Sequence, residues 1–219
     1  MMDIHTHILP GVDDGIQTYD VALEALKYQL KTGVSHVVLT PHVNNVVQKV
    51  SSKEFLARFN DFKDKIRSVL PEMNLYLGHE VRYQLQKPVD YGMYVFQGFK
   101  KKYLLIEFSP TNPDPIHDVI YDLTAKGFTP IIAHIERYFY LEMDDVVRMK
   151  SYGALIQVNS GAILGLDPKP YNKQAKRYMK SGLVDIVASD CHNMENRKPN
   201  LMESLEKAPK DFKMKELEV

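Results

Sequence analysis

The chain has 219 residues, of which 44% are hydrophobic and 26% are charged, which is the balance of an ordinary globular domain. Lysine plus arginine equals aspartate plus glutamate at 28 each, so the composition gives no basis for bulk attraction to nucleic acid or an anionic membrane. No apolar run is long enough to span a bilayer, residues 1–6 lack the apolar stretch of a signal peptide, and the single cysteine excludes an internal disulfide, so we expect a soluble cytoplasmic protein.

Seven short segments rich in apolar and β-branched residues recur along the chain at helix-sized intervals. Their nearly continuous apolar character is typical of strands that are buried on both faces of a parallel sheet. In chain order, the predicted strands are 2–7, 34–40, 75–80, 103–108, 129–134, 154–159 and 184–189.

Amphipathic segments separate the predicted strands. In the first of them, Leu23, Leu26 and Leu30 repeat with the spacing of one helix face, and Gly33 follows as a candidate C-cap. The alternation of strands with such segments predicts an α/β fold in one domain. The predicted helices are 19–32, 53–69, 114–126, 142–152 and 171–181.

Potential metal ligands stand at the C-terminal ends of most of the predicted strands. A barrel gathers these ends into one ring on one face, whereas an open doubly wound sheet spreads them along a line. We therefore predict a seven-stranded, TIM-like (β/α)7 barrel with its active site on that face. The potential ligands are His5, His7, Asp14, His42, Glu80, Glu107, His134, Asp190 and His192.

Five of the eight histidines belong to this set, and imidazole with carboxylate is the usual ligand mixture for divalent transition metals. His5 and His7 are two residues apart on a strand, so both can face one ion, and Asp190 and His192 repeat this spacing. At roughly four or five ligands for each ion, the set suits two or three ions. Manganese, iron and zinc all accept such ligands.

Two arginines follow ligands at the predicted barrel mouth. Arg137 lies three residues after His134, and Arg197 lies seven residues after Asp190. The guanidinium group offers a planar fork of donors that suits phosphate. We therefore predict that both arginines bind an anion beside the metal ions, and Arg82 is a third, weaker candidate.

Residues 81–102 form a long irregular segment rich in aromatic side chains. The pattern allows two interpretations. The segment is either a loop with a short helix that covers the barrel, or a rim that contacts substrate.

Residues 191–197, "CHNMENR", fit the C-x5-R pattern of cysteine-dependent tyrosine phosphatases. The phosphate-binding loop of those enzymes needs glycine for its curvature, and this stretch has none. Strand alternation also directs the Cys191 sulfur away from the side that Asp190 and His192 face. The sequence therefore disfavours catalysis by Cys191 with Arg197.

Seven stretches together resemble the PHP (polymerase and histidinol phosphatase) superfamily, and more closely its bacterial protein-tyrosine phosphatases of capsule and exopolysaccharide loci, the CpsB/CapC-like family. The similarity runs in order from residue 2 to about residue 200. The continuation "LPGVDDG" after the first histidine pair distinguishes this branch from histidinol phosphatases. The stretches are "DIHTHILPGVDDG", "TPH", "GHEVRY", "IEF", "AHIERY", "VNSGAILG" and "SDCHN".

The resemblance implies a single PHP-type metallophosphatase domain over residues 1–219, with a distorted (β/α)7 barrel and three divalent ions, commonly Mn²⁺. It assigns one ion to His5, His7, Glu80 and Asp190. It assigns a second to Glu80, Glu107 and His134, and a third to Asp14, His42 and His192. Arg137 and Arg197 match the phosphate-binding positions of the family.

The resemblance also implies a substrate, phosphotyrosine on the tyrosine-rich tail of a partner tyrosine kinase that controls polysaccharide export. Because water that bridges metal ions is acidified, we expect hydroxide rather than a side chain to attack phosphorus. The charged tail after "NRKPNL" departs from the family pattern, so we expect the final helix to be altered or missing.

Two other classes of function stay open. A metal-dependent amidohydrolase also begins with His-x-His on a barrel strand, but it usually has a metal-bridging lysine and less use for Arg137 and Arg197. A non-catalytic module that regulates the kinase would tolerate the loss of ligands, whereas every expected ligand is present.

Overall fold

The computed structural model describes residues 1–44, 46–84 and 89–219, apart from the Ser52 side chain. Each predicted strand segment contains a strand, but the second and third are each continued by a separate short strand. The strands are β1 (Met2–Thr6), β2 (His36–Leu39), β3 (His42–Val43), β4 (Asn74–Leu77), β5 (Glu80–Arg82), β6 (Lys102–Glu107), β7 (Phe128–Ile132), β8 (Leu155–Asn159) and β9 (Ile186–Ala188).

These strands pair in parallel in two sheets. One sheet has the order β1-β2-β4 and the other has the order β3-β5-β6-β7-β8-β9. The chain passes from the first sheet to the second between β2 and β3, where Pro41 has no N–H to donate, and again between β4 and β5. The prediction of seven uninterrupted strands was therefore wrong at these two places.

The C-terminal ends of β1 and β9 lie side by side. The Asp190 N–H donates to the His5 carbonyl oxygen at 2.9 Å, and the His7 N–H donates to that of Cys191 at 2.8 Å. A parallel bridge also joins Thr6 to Cys191. First-strand and last-strand ligands are thus brought to one place by backbone hydrogen bonds.

Two groups of buried apolar side chains hold the fold together. The larger group fills the space between strands and helices, and the smaller group draws on strands of both sheets. Leu217, near the end of the chain, reaches this smaller group. The members of the smaller group are Ile4, Val38, Phe96, Tyr103, Leu105, Ile131, Ala133, Leu155, Ile186, Ala188 and Leu217.

The five predicted helices are confirmed within a few residues, and two short helices were not predicted. Five and seven residues are too few to show a helical period, which explains why α5 and α7 were missed. Gly33 ends α1 with φ 101°, as its C-cap role requires. The helices are α1 (Tyr19–Thr32), α2 (Ser52–Val69), α3 (Ile116–Ala125), α4 (Met143–Ser151), α5 (Ser160–Leu164), α6 (Lys169–Lys180) and α7 (Leu201–Lys207).

Residues 85–88 of the irregular segment 81–102 lie outside the described residues. Its described part includes a 3-10 turn at Tyr91–Met93, and Phe96 packs so closely on Gly78 that a Cβ there would lie 2.3 Å from the ring. This part of the segment covers the core.

Where the chain is described, no helix is both long enough and apolar enough to cross a bilayer.

Candidate metal centre

The nine predicted ligands come from distant parts of the sequence and lie around one space at the C-terminal ends of the strands. Each has a nitrogen or oxygen atom within 4 Å of another member of the set. His5 lies in β1, His42 in β3, Glu80 in β5 and Glu107 in β6, while His7, Asp14, His134, Asp190 and His192 lie in segments that follow strands.

Four of these side chains converge on one point. The Nε2 atoms of His5 and His7 are 3.2 Å apart, and Glu80 Oε2 lies 3.2 Å from both. Asp190 Oδ1 lies 3.4 Å from His5 Nε2 and 3.5 Å from His7 Nε2. All four side chains are buried, the ligand atoms of His5, His7 and Asp190 lie close enough together for one ion, and Glu80 Oε2 adjoins both imidazoles.

Glu80 also faces a second group. Its Oε1 lies 2.7 Å from His134 Nε2, and its Oε2 lies 3.0 Å from His42 Nδ1. The Glu107 carboxylate lies 3.8 Å from each of these two rings. His42 therefore adjoins this group as well as the third one, to which the resemblance assigns it.

The third group lies on the open side of the site. Asp14 Oδ1 lies 3.5 Å from His42 Nε2 and 3.7 Å from His192 Nε2, and the His7 ring lies next to both imidazoles. Asp14 is 45% exposed, whereas the other ligands are buried or nearly so. Ligands of the three groups thus form one continuous cluster with an opening at Asp14.

Hydrogen bonds on the far side of the histidine rings orient them for metal binding. His7 Nδ1 lies 2.8 Å from Asp13 Oδ2, and His5 Nδ1 lies 3.2 Å from Gln157 Oε1. His192 Nδ1 lies 3.0 Å from a backbone carbonyl oxygen two residues earlier. Because each of these partners is an acceptor, Nδ1 is the donor in these contacts, and Nε2 is left facing the cluster, where a metal ion could bind it in place of a proton.

Two buried ring nitrogens in the cluster make no hydrogen bond: His192 Nε2, and His42 Nδ1 although Glu80 Oε2 lies 3.0 Å from it. An unsatisfied buried polar atom costs about 1–3 kcal/mol. A divalent ion would use both lone pairs. The histidine and carboxylate donors of the cluster therefore fit divalent transition metals.

Three supporting residues had no role assigned from the sequence, although one of them, Asn159, stands among the polar residues at the predicted strand ends. Gln157 Oε1 accepts the His134 N–H at 2.8 Å, and Gln157 Nε2 donates to Asn159 Oδ1 at 2.8 Å. Asn159 Nδ2 in turn donates to Asp190 Oδ2 at 2.7 Å. The sequence does contain an indication of Gln157 and Asn159, because two polar residues two apart on one strand face the same side. Asp13, the third, adjoins the predicted ligand Asp14.

Backbone strain is concentrated at the same place. Of the described non-glycine residues, His134 and Asp190 have positive φ, at 34° and 51°. Such a conformation is unfavourable for residues other than glycine and persists only where the surroundings impose it. Gly15 packs tightly too, since a Cβ there would lie 2.3 Å from the His7 carbonyl oxygen.

Neighbouring carboxylates and imidazoles in the cluster shift each other's pKa values. Burial opposes ionisation of Glu80, but the His5 and His42 rings hold the pKa of Glu80 well below its usual range. Burial and the nearby Glu80 charge raise the pKa of Glu107 to about 8. Burial opposes the charged form of His7, yet Asp13 raises the pKa of His7 to about 10. Such strongly shifted pKa values within one buried cluster are typical of a functional site.

Both predicted phosphate-binding arginines reach the cluster through Asp190. Arg137 Nη2 lies 2.9 Å and Arg197 Nη2 lies 2.7 Å from Asp190 Oδ2, and both side chains are partly exposed. Each guanidinium keeps further N–H donors for another anion. Arg82 Nη1 lies 2.6 Å from the Phe108 carbonyl oxygen and 3.5 Å from Glu107 Oε2, so it borders the site as well.

Cys191 is fully buried in the larger apolar group, and its sulfur lies 3.6 Å from the Asn193 carbonyl oxygen. Burial and the nearby Asp3 charge raise the pKa of its thiol well above the usual range. A nucleophilic cysteine needs the opposite, an accessible thiol with a lowered pKa. The geometry agrees with the interpretation that the C-x5-R pattern is accidental.

A family model described as "Capsular polysaccharide synthesis, CpsB/CapC" matches residues 1–218. The chain is 31% identical over 219 residues to the tyrosine-protein phosphatase YwqE of Bacillus subtilis, with 97% of this chain and 85% of YwqE covered.

A solved structure from a study of YwqE from Bacillus subtilis and CpsB from Streptococcus pneumoniae, metal-dependent tyrosine phosphatases, is similar with a TM-score of 0.85. The identity is 27%, over 97% of this chain and 87% of that chain. The histidinol phosphate phosphatase of Lactococcus lactis has a TM-score of 0.53 at 9% identity, over 94% of this chain and 90% of that one. This second likeness shows the fold alone.

Proposed function

Because this chain belongs to the CpsB/CapC family of capsular polysaccharide synthesis proteins, we propose that it is a metal-dependent tyrosine-protein phosphatase of that process. The observation that carries the proposal is the buried cluster of imidazole and carboxylate groups, in which three histidines have Nδ1 against an acceptor and Nε2 turned inward. Two arginines lie beside it.

We assign the nine ligands to three divalent ions, most naturally Mn²⁺. Glu80 would be shared between two ions, since its two oxygens face different histidines. His42 would complete either the second or the third site, because its ring nitrogens face Glu80 and Asp14. Iron and zinc suit the same donors.

Ions in these positions would polarise phosphoryl oxygens and acidify water, so no side-chain nucleophile is required. The chain itself binds and orients the phosphate. Arg137 and Arg197 approach Asp190 Oδ2 together, so their free N–H donors would hold the equatorial oxygens of the ester as negative charge moves onto them. Asp190, fixed by Asn159, keeps both guanidinium groups in place.

We also propose that the strands form one distorted (β/α)7 barrel in a single domain over residues 1–219. The hydrogen bonds between the ends of β1 and β9 and the apolar group shared by both sheets support this arrangement. The cytoplasmic location expected from the sequence stays a prediction.

The substrate we propose is phosphotyrosine on a protein, and specifically on the tyrosine-rich tail of a partner tyrosine kinase. The relatives named as tyrosine-protein phosphatases support the first part. The kinase tail rests on the family resemblance. Incubation with the phosphorylated tail and with an unrelated phosphotyrosine protein would separate the two statements, because only a cognate tail should be dephosphorylated at low enzyme concentration.

The amidohydrolase alternative has less support. Within the described residues, no lysine lies within ion-pair distance of the candidate ligand carboxylates. The two arginines at the cluster suit an anionic substrate rather than an amide.

The proposed function is tested by hydrolysis of an aryl phosphate before chelation, after chelation and after Mn²⁺ is added back. We expect activity to disappear on chelation and to return with Mn²⁺. Activity that survives complete chelation, or a metal-loaded protein that hydrolyses no phosphate ester, would contradict the proposal.

A further inference from the structure

Helix α6 carries a stripe of positive charge. Among its twelve residues none is acidic. Four lysines repeat at intervals of four, three and four residues, so they project from one side of the helix. We call this set the α6 lysine stripe, and its members are Lys169, Lys173, Lys176 and Lys180.

The four lysines are exposed, and none of them has an ion-pair partner in the described part of the chain, although Arg177 lies 4.0 Å from Glu142. Like charges three or four residues apart destabilise a helix, and Lys169 also stands at the positive end of the helix dipole. The stripe therefore weakens the helix that carries it, and an external anion would relieve this repulsion.

The start of α6 lies beside the arginines of the metal centre. The Tyr171 ring is stacked on the Phe139 ring at 5.5 Å, and Phe139 follows Arg137 by two residues. Burial raises the pKa of Asp167, just before the helix, and the charges of Arg137 and Arg197 act against this rise. The first turn of α6 thus lies beside the phosphate-binding side of the site, and the stripe extends for about 16 Å along the outer side of the helix, opposite the face that carries Tyr171.

We infer that the α6 lysine stripe binds a carboxylate-rich segment of the protein substrate, on the same chain as the phosphotyrosine. The inference rests on the proposed phosphatase function. A length of about 16 Å matches about five residues of extended peptide. Acidic side chains would pair with the lysines without a fixed sequence, because the lysine ammonium is a flexible point charge.

A peptide fits this surface better than a membrane does. The apolar side chains of α6, Ala175, Tyr178 and Met179, are buried against the protein. A helix that binds a bilayer surface needs such side chains on its exposed face. Only the charged side of α6 is available to a partner.

The test uses the Mn²⁺-loaded protein and two phosphotyrosine peptides of equal length, one flanked on both sides by glutamate and the other by glutamine. In one variant the four lysines of the stripe are replaced by glutamine. In the matched control, four exposed and unpaired lysines in other helices or at a helix end are replaced instead. The control positions are Lys27, Lys31, Lys53 and Lys126.

We expect the unaltered protein to prefer the glutamate peptide. In the stripe variant, KM for that peptide should rise about tenfold with kcat unchanged, since each exposed ion pair contributes a factor of about 1.4 to 5. Turnover of the glutamine peptide and of an aryl phosphate should not change. High salt should remove the preference in the unaltered protein because it screens exposed charges.

Three results would overturn the inference. They are a preference that survives in the stripe variant, an equal loss in the control variant, and a stripe variant that loses only its binding to phosphatidylserine vesicles. Failure of the proposed function is distinguishable, because the Mn²⁺-loaded protein would then hydrolyse neither the peptides nor the aryl phosphate.

Discussion

Gln157 gives the most informative prediction, because it touches no ion in the proposed arrangement and yet fixes two ligands. Its Oε1 accepts the His134 N–H at 2.8 Å and lies 3.2 Å from His5 Nδ1, and its Nε2 donates to Asn159. Gln157→Leu has a similar volume but removes all three contacts. The result would be two buried donors and one buried acceptor without partners.

The expected loss of stability follows from this count. Each buried polar group that loses its partner costs about 1–3 kcal/mol, and partial relaxation reduces the total to about 3–5 kcal/mol. In a chain of this size that loss lowers Tm by about 6–20 °C. Metal affinity should fall about 10- to 100-fold, because the His5 ring would no longer be held with Nε2 facing the cluster.

Urea unfolding in the presence of a chelator measures the first effect, and calorimetric titration of the metal-free protein with Mn²⁺ measures the second. Gln157→Glu keeps the acceptor oxygen that faces His5 and His134 and should keep the metal affinity, although it loses the donation to Asn159 and with it part of the stability. Gln174→Leu is the matched control, since Gln174 makes one hydrogen bond to Tyr178 outside the site. A Gln157→Leu protein that binds Mn²⁺ as tightly as the unaltered protein would refute the orienting role.

Three further predictions concern the reaction and the charge of the core. Arg137→Ala should keep the bound metal and lower kcat about 100- to 1,000-fold. His5→Ala should lose the metal and the activity together. Measuring metal content and kcat on the same samples distinguishes the two outcomes. Cys191→Ser should leave kcat nearly unchanged, and an inactive variant with a full metal complement would contradict the metal mechanism. Burial raises the pKa of Asp3 to about 6, so its stabilising contribution is lost as pH rises from about 4 to about 6. Asp3→Asn should therefore flatten the pH dependence of metal-free unfolding by at most about 3 kcal/mol, and an unchanged dependence would count against this assignment.

The fold class and the members of the site were within reach of the sequence. Apolar runs separated by helical periods indicate a buried parallel sheet, because backbone geometry sets both periods locally. Candidate ligands such as His5 and Glu80 could be selected because they stand at strand ends, and parallel strands bring those ends to one face. The resemblance then supplied the grouping into three ions, which stays a proposal.

Other features depend on contacts between residues far apart in sequence, and these only the tertiary structure decided. The strands β2 and β3, on either side of Pro41, lie in different sheets, which no apolar run reveals. In the sequence, Gln157 is one polar residue in a predicted strand. Only the tertiary structure brings His5 and His134 within hydrogen-bond distance of it. The positive φ of Asp190 has the same origin, since packing of the first strand against the last imposes a conformation that local preference disfavours.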